Sequence, residues 1–389
     1  MDFELNKEQK DIQKAVREFA EAEMSREHML ELDETSTYPS ELLKKVCDLG
    51  FLCIDIPEKY GGVGYGMTEK VIVFEELCRQ GAGVGMSLGG AFFGLKLLLN
   101  VGTEEQKQRI LPLACSGEGL PFSGAFTEPD KGTDLVTFPL GTTAVKKGDK
   151  YIINGTKTFI THADISKYVI VLCQTDNDAK PAYRGHTTFI LENPLDKPGY
   201  TVSNFEKMGW HTSHTTQISF SDFEVPAGDI VGKENQGFYN MVGFLNEFRI
   251  ETGAAGVGMA QGVFEKAVNY AKTREAYGQK IGKFQSISHK IADMATKIET
   301  ARLLVYKAAA TFDAKHEADP YISSMAKWYG ARVAVEVADD ALEIFGGHGY
   351  IVENDVARFY RDTRMLELIE GTREAQKNNI AASVLGKLG

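Results

Sequence analysis

The sequence is poor in cysteine, and its cysteines follow no recognisable spacing. Five occur in 389 residues, and no two form a Cys-x-x-Cys pair. An odd number without such spacing argues against a disulfide framework, so we expect reduced thiols in a cytoplasmic protein. Among eight histidines only His211 and His214 form a close pair, and no cysteine or carboxylate is placed as a further ligand. We therefore expect no metal site.

Positive charge is also in deficit. Lys and Arg together number 43 against 54 Asp and Glu, which gives a formal net charge of −11. Proteins that bind nucleic acid need a basic footprint, so this composition argues against that class. A local basic patch for a small anionic ligand remains compatible with it.

Long hydrophobic runs are missing as well. The strongest run, Ala91–Leu99, has nine residues and is interrupted by Lys96. A membrane-spanning helix needs about 20 apolar residues. The first residues, Met1–Glu4, show neither the basic region nor the apolar core of a signal peptide. We expect a soluble protein of the cytoplasm without membrane association.

Two common active-site motifs are absent too. No Gly-x-Gly-x-x-Gly follows a predicted strand, so the sequence does not indicate a Rossmann dinucleotide-binding fold. No Gly-x-Ser-x-Gly elbow is present for a nucleophilic serine. Any cofactor or substrate site must be built from other elements.

The first third of the chain has a helical pattern. Asn6 and Gln9 form a capping-box pair ahead of an apolar stripe at helical spacing. Further helices are predicted over residues 39–49, 68–79 and 104–114. These segments together predict a helical N-terminal domain.

The sequence pattern changes near residue 118. Residues 168–173, 186–191 and 217–223 are short runs of β-branched and aromatic residues between turn-forming segments. The pattern ends near Pro226. It predicts an all-β region of roughly 110 residues.

From about Phe238 the helical period returns. Three apolar stripes indicate long antiparallel helices with buried faces. The stripes consist of Ala260, Val263, Phe264, Ala267, Val268 and Ala271; of Ile291, Met294, Ala295, Ile298 and Val305; and of Ile322, Met325, Ala326, Tyr329 and Val333.

Helix–sheet–helix order predicts separate domains rather than alternating β-α-β units. The predicted fold is a multi-domain α+β protein. It has an N-terminal α-helical domain (1–117), a middle β-sheet or barrel domain (118–232) and a C-terminal four-helix-bundle domain (233–389).

Three polar segments that contain glycine are candidates for a binding site. Thr127–Asp134 and Gly155–His162 are interpreted as loops, in which glycine permits close backbone approach and hydroxyl groups hold a polar ligand. The third, Leu368–Thr372, places Glu370 directly before a Gly-Thr turn. Each segment alone is more often an ordinary turn, and a glutamate in a turn is usually a solvated surface charge.

Seven segments stand in a fixed order along the chain: Thr127–Asp134, Lys157–Thr161, Lys207–Trp210, Phe223–Pro226, Thr273–Gly278, Ile344–Gly349 and Ile369–Thr372. In this order they resemble the acyl-CoA dehydrogenase family. The resemblance covers essentially the whole chain. The α–β–α domain plan of that family also agrees with the domain order predicted above.

The resemblance implies an FAD flavoprotein, usually a homotetramer built as a dimer of dimers. It places the flavin ring between the β domain and the C-terminal bundle. Residues that match ring-contacting positions are Phe126, Thr127, Phe159 and Thr161. Those that match contacts to the FAD of the neighbouring subunit are Arg274, Tyr277, Phe284 and Gln285. Those that match contacts to the remaining parts of FAD are Gly132, Thr133, Glu343, Gly347, Thr372 and Glu374. Those that match substrate contacts are Thr133, Asn246, Arg249 and Gly371.

The resemblance also implies a reaction. Glu370 would remove the α-proton of an acyl-CoA thioester while a hydride leaves the β-carbon for flavin N5, giving the 2-enoyl thioester. Hydrogen bonds from the Glu370 backbone N–H and a flavin ribityl hydroxyl would stabilise the enolate. Electron-transfer flavoprotein would be the acceptor. In some relatives the base lies beside the arginine that Arg249 matches, but that position is Phe248 here, and Glu247 should face elsewhere.

The segment Gly81–Gly94 matches the base of the acyl pocket and contains six glycines. Either the glycines allow close helix packing, or they widen the pocket while Phe92 and Phe93 supply apolar walls. The second interpretation, together with Ile369 where many relatives carry Tyr, favours a bulky acyl group. No arginine lies between Gly81 and Asn100, which argues against a dicarboxylyl substrate. A branched or alicyclic substrate such as cyclohexanecarboxyl-CoA follows.

Several alternatives remain open. The same scaffold serves acyl-CoA oxidases and flavin monooxygenases, although Glu370 disfavours the latter. A short- or medium-chain straight acyl-CoA is a further substrate alternative. A non-catalytic helical scaffold protein would bind no flavin and would not need Arg274 or Gln285.

Overall fold

The computed structural model describes residues 4–386. Seven helices form its N-terminal part, and their bounds are α1 Lys7–Glu23, α2 Arg26–Thr35, α3 Ser40–Asp48, α4 Met67–Gly81, α5 Gly83–Gly90, α6 Leu95–Val101 and α7 Glu104–Cys115. The predicted capping box begins α1: Gln9 N donates to Asn6 Oδ1 at 2.9 Å, and Asn6 N donates to Gln9 Oε1 at 3.0 Å.

A seven-stranded sheet follows, with strands β1 Phe122–Ala125, β2 Thr143–Lys147, β3 Lys150–Thr161, β4 Tyr168–Gln174, β5 His186–Glu192, β6 Tyr200–Asn204 and β7 Thr215–Pro226. The strand order is β1-β4-β2-β3-β7-β6, and β5 pairs with β4. The interpretation of Gly155–His162 as a loop was wrong, because most of it lies in β3. Gly155 serves close packing inside the sheet: a Cβ there would lie 2.5 Å from Thr142 Cα.

The C-terminal part is helical, with α8 Gly237–Thr273, α9 Gln285–Lys315, α10 Pro320–Phe345, α11 Asp355–Thr363 and α12 Arg373–Leu385. A two-stranded hairpin of β8 Glu275–Ala276 and β9 Gln279–Lys280 joins α8 to α9. Helix α10 packs against α8, α9 and α12. The predicted apolar stripes of α8, α9 and α10 contribute Val263, Met294 and Ile322 to one buried cluster.

Glycines bring α8 and α10 into backbone contact. A Cβ on Gly253 would lie 2.8 Å from Ala326 O, and one on Gly256 would lie 2.6 Å from Gly330 O. Any larger residue would hold the two helices apart. This crossing places Thr252 of α8 beside the part of α10 that carries Lys327.

Packing and hydrogen bonds tie the parts of the chain together. Phe74 of α4 belongs to the buried cluster of the C-terminal helices, so the core runs across the boundary between the helical parts. In the loop before β7, Trp210 N donates to Asp362 Oδ1 at 2.7 Å and Trp210 Nε1 donates to Asp362 O at 2.8 Å. The sheet is thereby fixed against α11.

Four of the six glycines of Gly81–Gly94 serve close packing, whereas a Cβ on Gly90 would meet only Thr161 Cγ2, at 3.8 Å. A Cβ on Gly85 would lie 2.8 Å from Cys78 N in α4, and one on Gly83 would lie 2.6 Å from Asp362 Oδ2. Comparable contacts of 2.1 and 2.5 Å would arise at Gly81 and Gly89. The interpretation that these glycines widen a pocket was therefore wrong at these positions, because neighbouring atoms already fill the space.

One stretch among residues 4–386, Gly83–Val101, has the length and apolar composition of a membrane span. It consists of the two short helices α5 and α6, and 72% of its most apolar window is buried inside the protein. Such burial is typical of a core segment. All five cysteines are buried and free.

Candidate active site

Glu370 lies in a turn with an unusual backbone. Its φ is +52° and that of Gly371 is +92°, so two successive residues adopt left-handed conformations. Thr372 then caps α12, because its Oγ1 accepts from Ala375 N at 3.3 Å. A positive φ is unfavourable for a residue with a side chain, so contacts with neighbouring elements must hold this turn.

The carbonyl groups of the turn receive those contacts. Arg249 Nε donates to Glu370 O at 3.2 Å, and Gln376 Nε2 donates to Glu370 O at 3.0 Å and to Gly371 O at 2.9 Å. Lys327 Nζ donates to Gly371 O at 2.9 Å. Within residues 4–386, the Glu370 N–H has no protein acceptor. That N–H is available for a ligand.

The Glu370 carboxylate accepts a short hydrogen bond from the Thr252 hydroxyl. Burial raises the pKa of Glu370 to about 7, although the Thr252 hydrogen bond and the positive charges of Lys327 and Arg249 oppose the rise. A carboxylate with such a pKa exchanges protons near neutral pH.

Aromatic rings form an apolar wall on the side of α8 that carries Thr252. Phe93 contacts Phe126, Phe244 and Phe248 edge-to-face, with ring centroids 6.0, 4.9 and 5.0 Å apart. Phe248 joins this wall to the site, since the Thr252 hydroxyl also contacts Phe248 O at 3.0 Å. We call these four phenylalanines the aromatic wall.

Glu247 points away from the site, as the sequence predicted. Its Oε1 accepts from Asn100 Nδ2 at 2.6 Å, and its Oε2 lies 3.9 Å from Lys96 Nζ. Phe248 is 2% exposed and carries no acid. The position beside Arg249 therefore offers no second base.

Arg249 and Asn246 are joined on one face of α8. Arg249 Nη1 donates to Asn246 Oδ1 at 2.5 Å, and both residues are buried. Together with Gly371 they lie around the Glu370 turn. The structure thus brings three of the four predicted substrate-contacting residues together.

The segment from Phe126 to Asp134 is fastened to β3 by a buried ion pair. Lys157 Nζ lies 3.0 Å from Glu128 Oε1 and donates to Phe126 O at 3.0 Å. Thr127 O accepts from Thr158 N at 3.0 Å. Burial lowers the pKa of Lys157, whereas Glu128 opposes that shift. Gly132 and Thr133, in contrast, are exposed, and a Cβ on Gly132 would meet no atom within 4 Å.

Phe159 and Thr161 end β3 beside this segment. Phe159 has a φ of +58°, sits where the β3–β7 register shifts, and is 64% exposed. Its ring lies 5.6 Å from that of Phe205. Thr161 is partly exposed and faces Gly90 of α5. An exposed ring on a strained backbone fits a surface that a planar cofactor covers.

A second cluster lies far from Glu370. Arg274 follows Thr252 by 22 residues, which corresponds to about 33 Å along a helix axis. It shares the region around the β8–β9 hairpin with Tyr277, Phe284 and Gln285. Tyr277 is 97% exposed, and its ring lies 6.2 Å from that of Phe284. The single chain does not bring these four residues to Glu370.

The remaining predicted contacts divide between the two regions. Glu343, near the end of α10, pairs with Lys290 Nζ at 2.7 Å, and nothing lies within 4 Å of a Cβ on Gly347. Thr372 adjoins the Glu370 turn. Glu374 is exposed and pairs with Arg373 at 2.8 Å.

Sequence reasoning missed three residues that hold the site, Thr252, Lys327 and Gln376. Lys157 begins one of the seven ordered segments, but its ion pair with Glu128 was not predicted. Lys327 lies between Ala326 and Tyr329 in sequence but off the predicted apolar stripe, so the helical pattern does not indicate that it is buried. Thr252 and Gln376 are ordinary polar residues in sequence, and only long-range contacts reveal them.

The two neighbouring histidines have separate partners. His211 Nδ1 lies 3.2 Å from Asp33 Oδ1, and His214 Nδ1 lies 2.7 Å from Asp164 Oδ2. Across the described part of the chain, no three His, Cys, Asp or Glu residues are grouped so as to hold a metal ion.

Comparison with known proteins shows relatives along the whole chain. The chain is 39% identical to the 3-(aryl)acrylate reductase of Clostridium sporogenes over 96% of this chain and 97% of that protein. It is 38% identical to the caffeyl-CoA reductase-Etf complex subunit CarC of Acetobacterium woodii, over 98% and 100%. It is 36% identical to the cyclohex-1-ene-1-carbonyl-CoA dehydrogenase of Syntrophus aciditrophicus, over 98% and 91%.

Three domain models and a solved structure agree with these relatives. The N-terminal, middle and C-terminal domain models of acyl-CoA dehydrogenases match residues 6–118, 123–223 and 235–385. The butyryl-CoA dehydrogenase of Megasphaera elsdenii superimposes with a TM-score of 0.92 at 36% identity, covering 99% of this chain and 100% of that one. The three-domain fold predicted from the sequence is confirmed. The chain belongs to the acyl-CoA dehydrogenase family, whose members are FAD-dependent oxidoreductases.

Proposed function

We propose that the protein dehydrogenates an acyl-CoA thioester between its α- and β-carbons, with Glu370 as the base. The observation that carries this proposal is the buried Glu370 carboxylate, whose pKa is raised to about 7 beside a backbone N–H free to bind a ligand. A base works best when its pKa lies near the working pH.

The turn meets both demands of the reaction. The α-proton of a thioester is weakly acidic, so its removal requires stabilisation of the negative charge that develops on the thioester oxygen. The Glu370 N–H supplies a fixed donor for that oxygen, and the same residue supplies the base. Arg249 and Gln376 hold the turn through its carbonyls, so the donor need not reorganise during the reaction.

Residues next to the aromatic wall, on the sheet side of the site, fit FAD. Phe126 and Thr127 are held by the Lys157–Glu128 pair, and Phe159 presents an exposed ring next to them. Bound FAD supplies the acceptor for the hydride that leaves the β-carbon. Electron-transfer flavoprotein is the proposed acceptor of the electrons, a proposal supported by the relative that forms a complex with it.

Replacement of the base tests this function. Glu370→Gln keeps the shape of the side chain and removes its basicity, so we expect flavin reduction by substrate to slow about 10²- to 10⁴-fold. The measurement is anaerobic bleaching of the flavin absorption in protein that contains FAD. A folded, FAD-loaded variant that reduces its flavin at the parental rate would overturn the proposal.

We further propose a ring-bearing acyl group, alicyclic or aromatic. Since most of the glycines of Gly81–Gly94 are tightly packed, the support comes from the aromatic wall: its Phe93 ring is partly exposed and is backed by the buried rings of Phe126, Phe244 and Phe248, so a second ring can stack on it. The three relatives named above are named for aryl, caffeyl and cyclohexenyl compounds. Cyclohexanecarboxyl-CoA and 3-phenylpropanoyl-CoA should bleach the flavin faster than butyryl- or octanoyl-CoA; the reverse order would favour a straight-chain dehydrogenase.

The redox partner distinguishes the remaining alternative. A dehydrogenase reduced by its substrate stays reduced in air until electron-transfer flavoprotein is added. Reoxidation by air within seconds would instead favour an oxidase on this scaffold. Two relatives are named as reductases, so the reverse reaction, with protonated Glu370 returning the α-proton, belongs in the same assay.

A further inference from the structure

Lys327 is a buried cation with few partners. Its side chain is completely buried in α10. Its Nζ donates to Gly371 O at 2.9 Å, and within residues 4–386 it forms no other hydrogen bond and no ion pair within 4 Å. A buried ammonium group is costly unless it serves a structural or functional need.

The position of this ammonium completes a clamp on the catalytic turn. Arg249 from α8, Lys327 from α10 and Gln376 from α12 together bind the carbonyls of Glu370 and Gly371. Both of those residues have left-handed backbones. Three donors from three helices thus hold a conformation that the turn would not favour alone.

The charges around Lys327 also connect it to Glu370. Burial lowers the pKa of Lys327 to about 8, whereas Glu370 raises it, Arg249 lowers it and Glu367 raises it. Glu370 responds to Lys327 in turn, because the ammonium opposes the rise of its pKa. The groups that face the pair from adjacent elements are Arg249, Thr252 and Glu367.

We propose that Lys327 is a positioning residue for the proposed base: its buried ammonium holds the Glu370–Gly371 turn in its reactive conformation and favours the charged carboxylate. The inference rests on the proposed role of Glu370. Lys327 acts through the Gly371 carbonyl, to which its Nζ donates, and through its charge.

Two substitutions separate the hydrogen bond from the charge. Lys327→Gln keeps a donor for Gly371 O and loses the charge, while Lys327→Met loses both. Without the charge, we expect the acid-side limb of the pH profile for flavin reduction to move upward by about one pH unit in both variants. The plateau rate should fall roughly tenfold or more in Lys327→Met, because the turn loses a contact. Lys327→Arg keeps the charge and should keep the parental limb.

The matched control is Lys70→Met. Lys70 is also buried and also donates to a backbone carbonyl, that of Leu52, but it pairs with Asp55 away from the turn. The Lys70→Met variant should lose thermal stability, while its pH limb should stay at the parental position. If Lys327→Met does not fold or bind FAD, the comparison of Lys327→Gln with Lys327→Arg still isolates the charge.

The outcomes are distinct for the two proposals. If the FAD-loaded Lys327→Met and Lys327→Gln variants both keep the parental pH limb and plateau rate, the positioning role is overturned, even when Glu370→Gln is inactive. A fully active Glu370→Gln would overturn the proposed function and the positioning role with it. If the pH limb shifts in Lys327→Gln and Lys327→Met but stays parental in Lys327→Arg, both proposals are supported.

Discussion

Glu370 combines an unfavourable backbone with an unfavourable charge environment. Its φ is +52°, and burial raises the pKa of its carboxyl to about 7. Neither property helps the chain to fold, and each requires compensating contacts. Residues with a strained backbone and residues with a strongly shifted pKa both concentrate at functional sites, which supports the role proposed for this glutamate.

The pH dependence of the reaction follows from this residue. The base is active when deprotonated, and its raised pKa keeps it partly protonated at neutral pH. The rate of anaerobic flavin reduction should therefore increase as pH rises through about 7 and level off above it. Stopped-flow absorbance across this pH range measures the limb. A rate that is constant from mildly acidic to alkaline pH would argue against Glu370 as the base.

Thr252 offers a sharper test at the same scale. Its hydroxyl donates to the Glu370 carboxylate and opposes the rise of the pKa. Thr252→Val has the same shape without the donor, so the pH limb should move upward and the rate at neutral pH should fall several-fold. Thr252→Ser keeps the hydroxyl and serves as the control. An unchanged limb in the valine variant would show that this hydrogen bond does not set the acidity of Glu370.

At the scale of elements, the crossing of α8 and α10 determines the site. Gly256 meets Gly330 O so closely that an added Cβ would lie 2.6 Å away. Gly256→Ala should therefore lower the free energy of unfolding by about 1–3 kcal/mol, as overpacking does. It should also slow flavin reduction, because separating the helices moves Lys327 away from the turn that Thr252 and Arg249 contact.

The same helix provides the control for this prediction. Gly243 is exposed, and a Cβ there would meet no atom within 4 Å. Gly243→Ala should stabilise α8 by up to about 1 kcal/mol through helix propensity. Thermal unfolding of both variants makes the comparison. Equal effects of the two substitutions would show that the crossing tolerates a methyl group.

The sequence predicted elements better than contacts between them. The Asn6 capping box, the strands near residues 168 and 186 and the apolar stripes of the long helices depend on local spacing, which a sequence displays. Two glycines were misinterpreted. Gly155 was assigned to a loop but lies inside a strand, and Gly85 was interpreted as widening a pocket but packs against another helix. A glycine marks close approach, but the partner in that approach is distant in sequence.

The candidate site shows the same division. Glu370 and Arg249 were predicted, because the resemblance identifies their positions. Thr252, Lys327 and Gln376 converge on the turn from three helices. Their convergence depends on how the helices cross, and no spacing along the chain reveals that.

At the scale of the whole molecule, the predicted cofactor contacts form two regions. Phe126, Thr127 and Phe159 lie at the sheet side of the site. Arg274 follows the last residue of α8, about 33 Å along the helix axis from Thr252, and Tyr277 lies beyond it in the β8–β9 hairpin. Tyr277 is 97% exposed, although it is a large aromatic residue. Such exposure favours a surface that a second copy of the chain covers in the proposed homotetramer.

Complementation between two inactive variants tests that arrangement. If Arg274 contacts the FAD of a neighbouring subunit, then Arg274→Ala and Glu370→Gln damage different parts of each shared site. A mixed oligomer contains sites in which Glu370 comes from one variant and Arg274 from the other, so those sites are intact. Co-expressed, differently tagged chains purified through both tags should reduce flavin far faster than either variant alone. Activity no higher than the mean of the two variants would place Arg274 on the FAD of its own chain, or on none, because a subunit that supplied both residues itself would gain nothing from its neighbour.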